Sequence, residues 1–286
     1  MQNDSSTSVP SVKLNNGVLM PMEGFGVYQI ADLDECRRSV LDALETGYRA
    51  IDTAQAYGNE QAVGDALAQS GLDRDQVFLT TKVWITNYGY DKTKASVEES
   101  LKKLGTDHLD LVLLHQPFND YYAAWHALED LYDQGVLRAI GVSNFYADRY
   151  VDLVKFNRIV PAVNQLETHV FHQRPQERTY MDKYGTRIES WGPFAEGRQG
   201  MFTNPTLTEI GQAHGRTAAQ VALRFLVQDG VIVIPKSTHR ERMRENLDIW
   251  DFQLSDQEMD RLRAMDTGKS AFMNHEDPET VEDFAG

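Results

Sequence analysis

The chain has 286 residues and a net charge of −15, with 41% hydrophobic and 25% charged residues, so it carries enough apolar side chains for a sizeable core and lacks the composition of a disordered chain. Its acid excess opposes long-range attraction to nucleic acid or an anionic membrane, and no run approaches the ~20 apolar residues of a membrane span. The single cysteine, Cys36, excludes an internal disulfide and a multi-cysteine zinc site, and no metal is expected.

Residues 1–10 read as a flexible tail, and Met1–Ser8 lack the basic and apolar regions of a signal peptide, which makes the cytoplasm the expected location. Val12–Met20 places Asn16-Gly17 between two short apolar runs, the pattern of a β-hairpin, here expected to plug the lower end of a barrel. Eight apolar or β-branched runs then alternate with helical patterns: Gly24–Val27, Ala50–Asp52, Val77–Lys82, Leu109–His115, Ala139–Ser143, Ala162–Leu166, Arg187–Trp191 and Val231–Pro235. That alternation predicts an α/β fold, a single (β/α)8 TIM barrel. Leu111–Leu114 and Val231–Ile234 carry no polar alternation, as expected of strands covered on both faces.

Between the runs, Cys36, Val40 and Leu44 share one helical face. Val97, Leu101 and Leu104 share another, and Tyr121, Trp125, Leu128 and Tyr132 a third. Gly47, Gly71, Gly105 and Gly135 each follow a helical pattern, where a left-handed stop favours glycine. Ser255 to Glu258 offers a capping box for an extra C-terminal helix. The acidic tail from 266 to 286 shows little periodicity and is expected either to hang loose or to fold over or near the pocket. No composition break divides the chain, which reads as one domain over 1–286.

Polar, titratable residues stand at or just past three of the runs: Asp52 and Tyr57, Lys82, and His115. The C-terminal strand ends of a parallel barrel share one face, so the four are expected to meet there. A free tyrosine, with a pKa of about 10, is a weak general acid near neutrality. An adjacent ammonium lowers that value and a carboxylate keeps the ammonium charged, which gives Lys82 and Asp52 a purpose beside Tyr57. His115 is placed to hydrogen-bond and orient a substrate carbonyl. Taken singly, Asp52 also reads as a turn cap, Lys82 as a snorkelling strand end, His115 as a satisfied core histidine and Tyr57 as packing; only their joint placement favours chemistry.

With these residues the chain resembles the aldo-keto reductases. Gly47-Tyr48-Arg49-Ala50-Ile51-Asp52-Thr53-Ala54, leading to Tyr57-Gly58-Asn59-Glu60, resembles that family's first signature, and Lys82 and His115 stand where the family places its other two catalytic residues. The likeness runs from about Val12 to the end of the chain. It implies a barrel without a Rossmann domain, a nicotinamide cofactor across the strand ends, and Tyr57 as the general acid for reduction. It further implies that Ser143, Asn144 and Gln165 hold the nicotinamide carboxamide and that Trp191 stacks on the ring. The tryptophan variant is similar to the bacterial 2,5-diketogluconate reductases.

Lys236 to Asn246 concentrates basic side chains in an otherwise acidic protein. Lys236 and Arg242 can grip a 2'-phosphate with Ser237 and the following helix start, while Arg240 and Arg244, interleaved with Glu241 and Glu245, also fit a solvated helix face. The resemblance assigns Lys236, Ser237, Thr238 and Arg242 to the phosphate and Glu245 and Asn246 to adenine, which favours NADPH over NADH. Tyr28, Trp84, Phe118, His115 and Trp191 are expected to line the substrate pocket. Gln116 and Val170 depart from the residues frequent in the family, and the segment after His115 is short, so a more open rim is expected. The implied partner is a small carbonyl compound, and the implied state a monomer. Two other readings fit part of the pattern: a cofactor-binding sensor or scaffold with little turnover, and a Schiff-base aldolase using Lys82, which would leave Lys236–Asn246 without a purpose.

Overall fold

The structure, a computed structural model, describes residues 9–285; the expected N-terminal tail lies outside the described residues up to position 8. A two-stranded antiparallel hairpin, β1 (Ser11–Lys13) and β2 (Leu19–Pro21), turns at Asn16-Gly17. Gly17 adopts φ +91°, a conformation costly for a residue with a Cβ. The hairpin packs Leu14 and Met20 inward, and Asn15 and Asn16 donate to the carbonyls of Pro161 and Arg138, just ahead of two barrel strands. It therefore covers the N-terminal end of the barrel, as expected.

Eight parallel strands follow: β3 (Phe25–Gly26), β4 (Ala50–Asp52), β5 (Phe78–Val83), β6 (Leu111–Leu114), β7 (Ile140–Ser143), β8 (Val163–Glu167), β9 (Arg187–Trp191) and β10 (Ile232–Val233). Neighbours in sequence are neighbours in the sheet. The ends meet where Glu23 pairs with Val233, the Gly24 N–H donates to the Val233 carbonyl at 2.9 Å, and the Val233 N–H donates to the Met22 carbonyl at 3.0 Å. Ala50–Asp52 and Arg187–Trp191 span the expected residues, whereas the other strands differ by one or more positions at their ends. The seam strands β3 and β10 shorten to two residues each, and Pro235 has no N–H with which to extend β10.

Helices α1 (Leu33–Thr46), α2 (Glu60–Gln69), α3 (Tyr90–Leu104), α4 (Tyr121–Asp133), α5 (Ala147–Phe156) and α6 (Pro175–Tyr184) each follow one strand. Two helices, α7 (Pro205–His214) and α8 (Ala218–Gln228), separate β9 from β10, and α9 (Arg240–Leu247) follows β10. Cys36, Val40 and Leu44 are buried on α1 as their spacing predicts. Gly47, Gly71, Gly105 and Gly135 all take positive φ at the helix stops. The chain closes with α10 (Asp256–Arg263), whose Ser255 and Glu258 form the expected capping box, and with a further helix, α11 (Pro278–Ala285), in a segment that shows little periodicity. No helix among the described residues is long and apolar enough to cross a membrane.

Candidate active site

Asp52 ends β4, Lys82 lies in β5, and His115 follows β6, so the parallel register lifts all three to one end of the barrel. Tyr57 closes a single 3-10 turn, Gln55–Tyr57, that ends at Gly58 with φ +69°. The loop is held by Asn59, which accepts from the Thr53 hydroxyl at 2.9 Å and donates to the carbonyls of Val27 and Ile30. Glu60, the next residue, accepts from Thr81 Oγ1 at 2.7 Å. Asn59 and Glu60 thus serve the loop's position rather than the chemistry.

The Lys82 ammonium is fully buried and uses all three protons: to Asp52 Oδ1 at 2.6 Å, the Thr53 carbonyl at 2.9 Å and Tyr57 Oη at 3.2 Å. Burial alone would depress its pKa, but Asp52, Tyr57 and Glu189 outweigh that effect and hold the ammonium charged, above its ordinary value. Tyr57 differs from the expectation: burial pushes its phenol up to about 12, although Lys82 pulls it down as expected, and Asp52 pushes it up as well. The phenol is therefore firmly protonated, with the ammonium opposing the effect of burial. His115 is held well below the usual histidine range by burial, then by Lys82 and by His275, so its imidazole is neutral. Its Nδ1 is buried without a partner. An unpaired lone pair is cheaper to bury than an unpaired N–H, which places the proton on Nε2.

Beneath this group, Gln165 Nε2 donates to Asp52 Oδ2 at 3.0 Å and to Glu189 Oε2 at 2.7 Å. Glu189, on β9, is buried, and burial with the nearby Asp52 raises its carboxyl to about 8. Composition gave no signal for Glu189, because it stands in mid-strand beside Ser190 and points inward only once the barrel closes.

The residues expected at a nicotinamide are neighbours. Asn144, at φ +64°, donates through Nδ2 to the His115 carbonyl and to Ser143 Oγ, and its Oδ1 accepts from the Trp191 indole at 2.8 Å. Gln165 Oε1 takes no donor among the described residues and stays available to an amide.

The donor set after β10 fits an anionic cofactor group. Lys236 and Arg242 are exposed with no carboxylate within salt-bridge reach among the described residues, whereas Arg240 is engaged by Asp42 and Glu45 of α1. The α9 N-terminus has no side-chain cap, leaving its first N–H groups open. Ser237 and Thr238 precede it, and Ser237 Oγ accepts from the His239 N–H at 3.1 Å. Glu245 accepts from Thr217 Oγ1 at 2.7 Å, and Asn246 is buried on the same helix.

Aromatic rings surround the group. Tyr28, 55% exposed, lies 4.9 Å from Tyr57, and Trp84 lies 5.1 Å from His115, centre to centre. Phe118 forms no ring pair with Tyr57 or His115 among the described residues; its ring centre lies 6.2 Å from His275 and 5.8 Å from Phe284, both from the tail. Phe284 of α11 reaches Trp84 at 5.7 Å, and Phe272 reaches Trp191 at 5.2 Å. The rim expected to be open is therefore filled by the tail. Gln116, expected at that rim, is instead buried and accepts from Asn144 Nδ2 at 3.3 Å. The signal for the tail was Asp277-Pro278 at a helix start, with Val281 and Phe284 three residues apart.

A protonated phenol beside a trapped ammonium can deliver a proton to a carbonyl oxygen, and the exposed cations after β10 fit an anionic cofactor group, the requirements of a nucleotide-dependent oxidoreductase. The sequence profile of the aldo/keto reductase family matches residues 24–267. The chain is 44% identical over 256 residues to glyoxal reductase of Bacillus subtilis, covering 89% of this chain and 92% of that protein. It is 41% identical over 273 residues to morphine 6-dehydrogenase of Pseudomonas putida, covering 91% and 92%. Its fold matches an aldo-keto reductase of Bombyx mori in complex with NADP with a TM-score of 0.90, at 31% identity, over 96% of this chain and 97% of that one. The chain belongs to the aldo/keto reductase family and is an NADPH-dependent enzyme that reduces carbonyl groups.

Proposed function

We propose that Tyr57, Lys82, Asp52 and His115 carry the reduction of aldehydes and ketones to alcohols, with Tyr57 as the proton donor. NADPH, when bound, supplies the hydride. His115 Nε2–H orients the substrate carbonyl, Tyr57 protonates its oxygen, and the Lys82 ammonium, kept charged by Asp52, stabilises the phenolate left behind. The observation that carries this reading is the fully used Lys82 ammonium, which joins Asp52 to Tyr57 in one buried chain. Ser143, Asn144, Gln165 and Trp191 would hold the nicotinamide end. Lys236, Ser237, Thr238 and Arg242 would hold the 2'-phosphate, and Glu245 and Asn246 the adenine.

The substrate is a small carbonyl compound whose flank packs against Tyr28, Trp84, Trp191 and Phe118. The protein works as one barrel unit and a monomer in the cytoplasm, within the subgroup similar to bacterial 2,5-diketogluconate reductases. The test is the loss of NADPH absorbance with a panel of ketoaldehydes, aromatic aldehydes, sugar-derived ketones and diketones, repeated with NADH. Turnover with NADPH in clear preference to NADH is expected. Cofactor binding without turnover on any carbonyl would favour a sensor.

A further inference from the structure

Among the buried carboxylates outside this machinery, one is tied to the C-terminal tail. Glu167 ends β8, two residues beyond Gln165, and is fully buried. Its Oε2 accepts from the Ser270 hydroxyl at 2.5 Å, and its Oε1 accepts from the Ala271 N–H at 2.7 Å and from His169 Nε2 at 3.0 Å. His169 Nδ1 accepts the Phe171 N–H at 3.2 Å, so the ring proton sits on Nε2 and the bond to Glu167 needs no charged histidine. Burial pushes this carboxyl up, but its three donors prevail and hold it below the usual range, so it is ionised at neutral pH. Two of the three donors belong to the C-terminal tail, more than a hundred residues away in sequence.

The tail turns into the pocket from that point. Ser270 Oγ accepts the N–H groups of Phe272 and Met273, both at 2.9 Å, which fixes the turn. The Phe272 ring then lies against Trp191 and under the Arg198 guanidinium, 4.3 Å from the ring centre, while Arg198 donates to the Ala271 carbonyl. A second tie runs through Tyr146 Oη, which accepts from Arg174 at 3.1 Å and shares a hydrogen bond with His275 Nδ1 at 3.2 Å. His275 and Phe284 complete the wall beside Phe118 and Trp84.

We propose that Glu167 is a substrate-positioning residue: its carboxylate fastens the tail across the strand ends, so that Phe272, His275 and Phe284 form the outer wall of the carbonyl pocket. The proposal rests on the reading of Tyr57 and its neighbours as the reducing centre. An apolar or aromatic substrate flank loses its cover when the tail is released, while the protein groups at the nicotinamide and phosphate ends stay in place.

The experiment compares Glu167→Gln and Ser270→Ala with wild type. A glutamine presents a donor to donors, so Glu167→Gln should raise KM for aromatic aldehydes about tenfold or more, with kcat within about threefold and NADPH Kd, from protein fluorescence, within about twofold. Ser270→Ala removes one donor from the tail itself and should move KM the same way by less, without threatening the barrel. An unchanged KM in both variants, or an NADPH Kd that weakens in step with KM, overturns the proposal. A wild-type protein that reduces no carbonyl would strike the catalytic reading instead. The anchor is then judged by proteolysis of the segment after Gly268, which Glu167→Gln should accelerate; equal resistance in the two proteins overturns it.

Discussion

At the scale of single residues, the site works by keeping the Tyr57 phenol and the His115 imidazole neutral beside a charged Lys82 ammonium. His115 is neutral because burial and the adjacent ammonium both disfavour its proton. The kcat/KM profile for carbonyl reduction should therefore show no histidine inflection between about pH 6 and 7, the ordinary range for that side chain; a fall in rate there that disappears in His115→Gln would contradict the assignment. Arg242 is exposed and free of carboxylate partners among the described residues, so Arg242→Ala should raise the KM for NADPH by roughly ten- to a hundredfold, the worth of a charge-assisted contact. The KM for NADH should move little, and equal effects on both cofactors would remove Arg242 from the phosphate site. Asp52, Tyr57, Lys82 and His115 were legible in the sequence because each stands at the end of an apolar run, where a polar side chain needs a reason. Glu189 and Glu167 were not, since their partners come from strands and a tail distant in sequence.

At the scale of elements, the strands and the hairpin followed from periodicity and turn chemistry, whereas the tail depended on tertiary contacts. Leu111–Leu114 reads as a buried strand on composition alone. The helix α11 is short and acidic, and contacts with Trp84, Phe118 and His275 give Phe284 a place. His275 makes that docking sensitive to acid. Around it stand Tyr146, Arg174, Glu167, Phe118 and Phe284, with His115 nearby, and burial followed by Arg174 lowers its pKa to about 4, while Glu167 opposes the shift. In the released tail the ring regains its ordinary value of about 6.5, so between those values the released state binds more protons. Docking therefore weakens as pH falls through that window, by about 1.4 kcal/mol per unit in its steep part. An NMR titration of the His275 ring should find its midpoint near 4; a midpoint near 6.5 would show that the tail does not bury it.

At the scale of the whole molecule, closing eight short parallel strands gathers residues from Asp52 to Asn246 on one face, while the hairpin covers the other end. The alternation of runs predicted this gathering, and the basic stretch from Lys236 stood out because the rest of the chain is acidic. The sequence left the tail either loose or folded over the pocket; the choice depends on Glu167, Arg198 and Arg174 holding a segment with little periodicity. The central claim, that a half-buried phenol on this barrel delivers the proton for NADPH-dependent carbonyl reduction, is tested most directly by Tyr57→Phe. Removing one hydroxyl should lower kcat for reduction by roughly 10²- to 10⁴-fold, the usual worth of a general acid, while NADPH binding followed by fluorescence stays nearly unchanged. Turnover within a few-fold of wild type, with the cofactor bound, would contradict it.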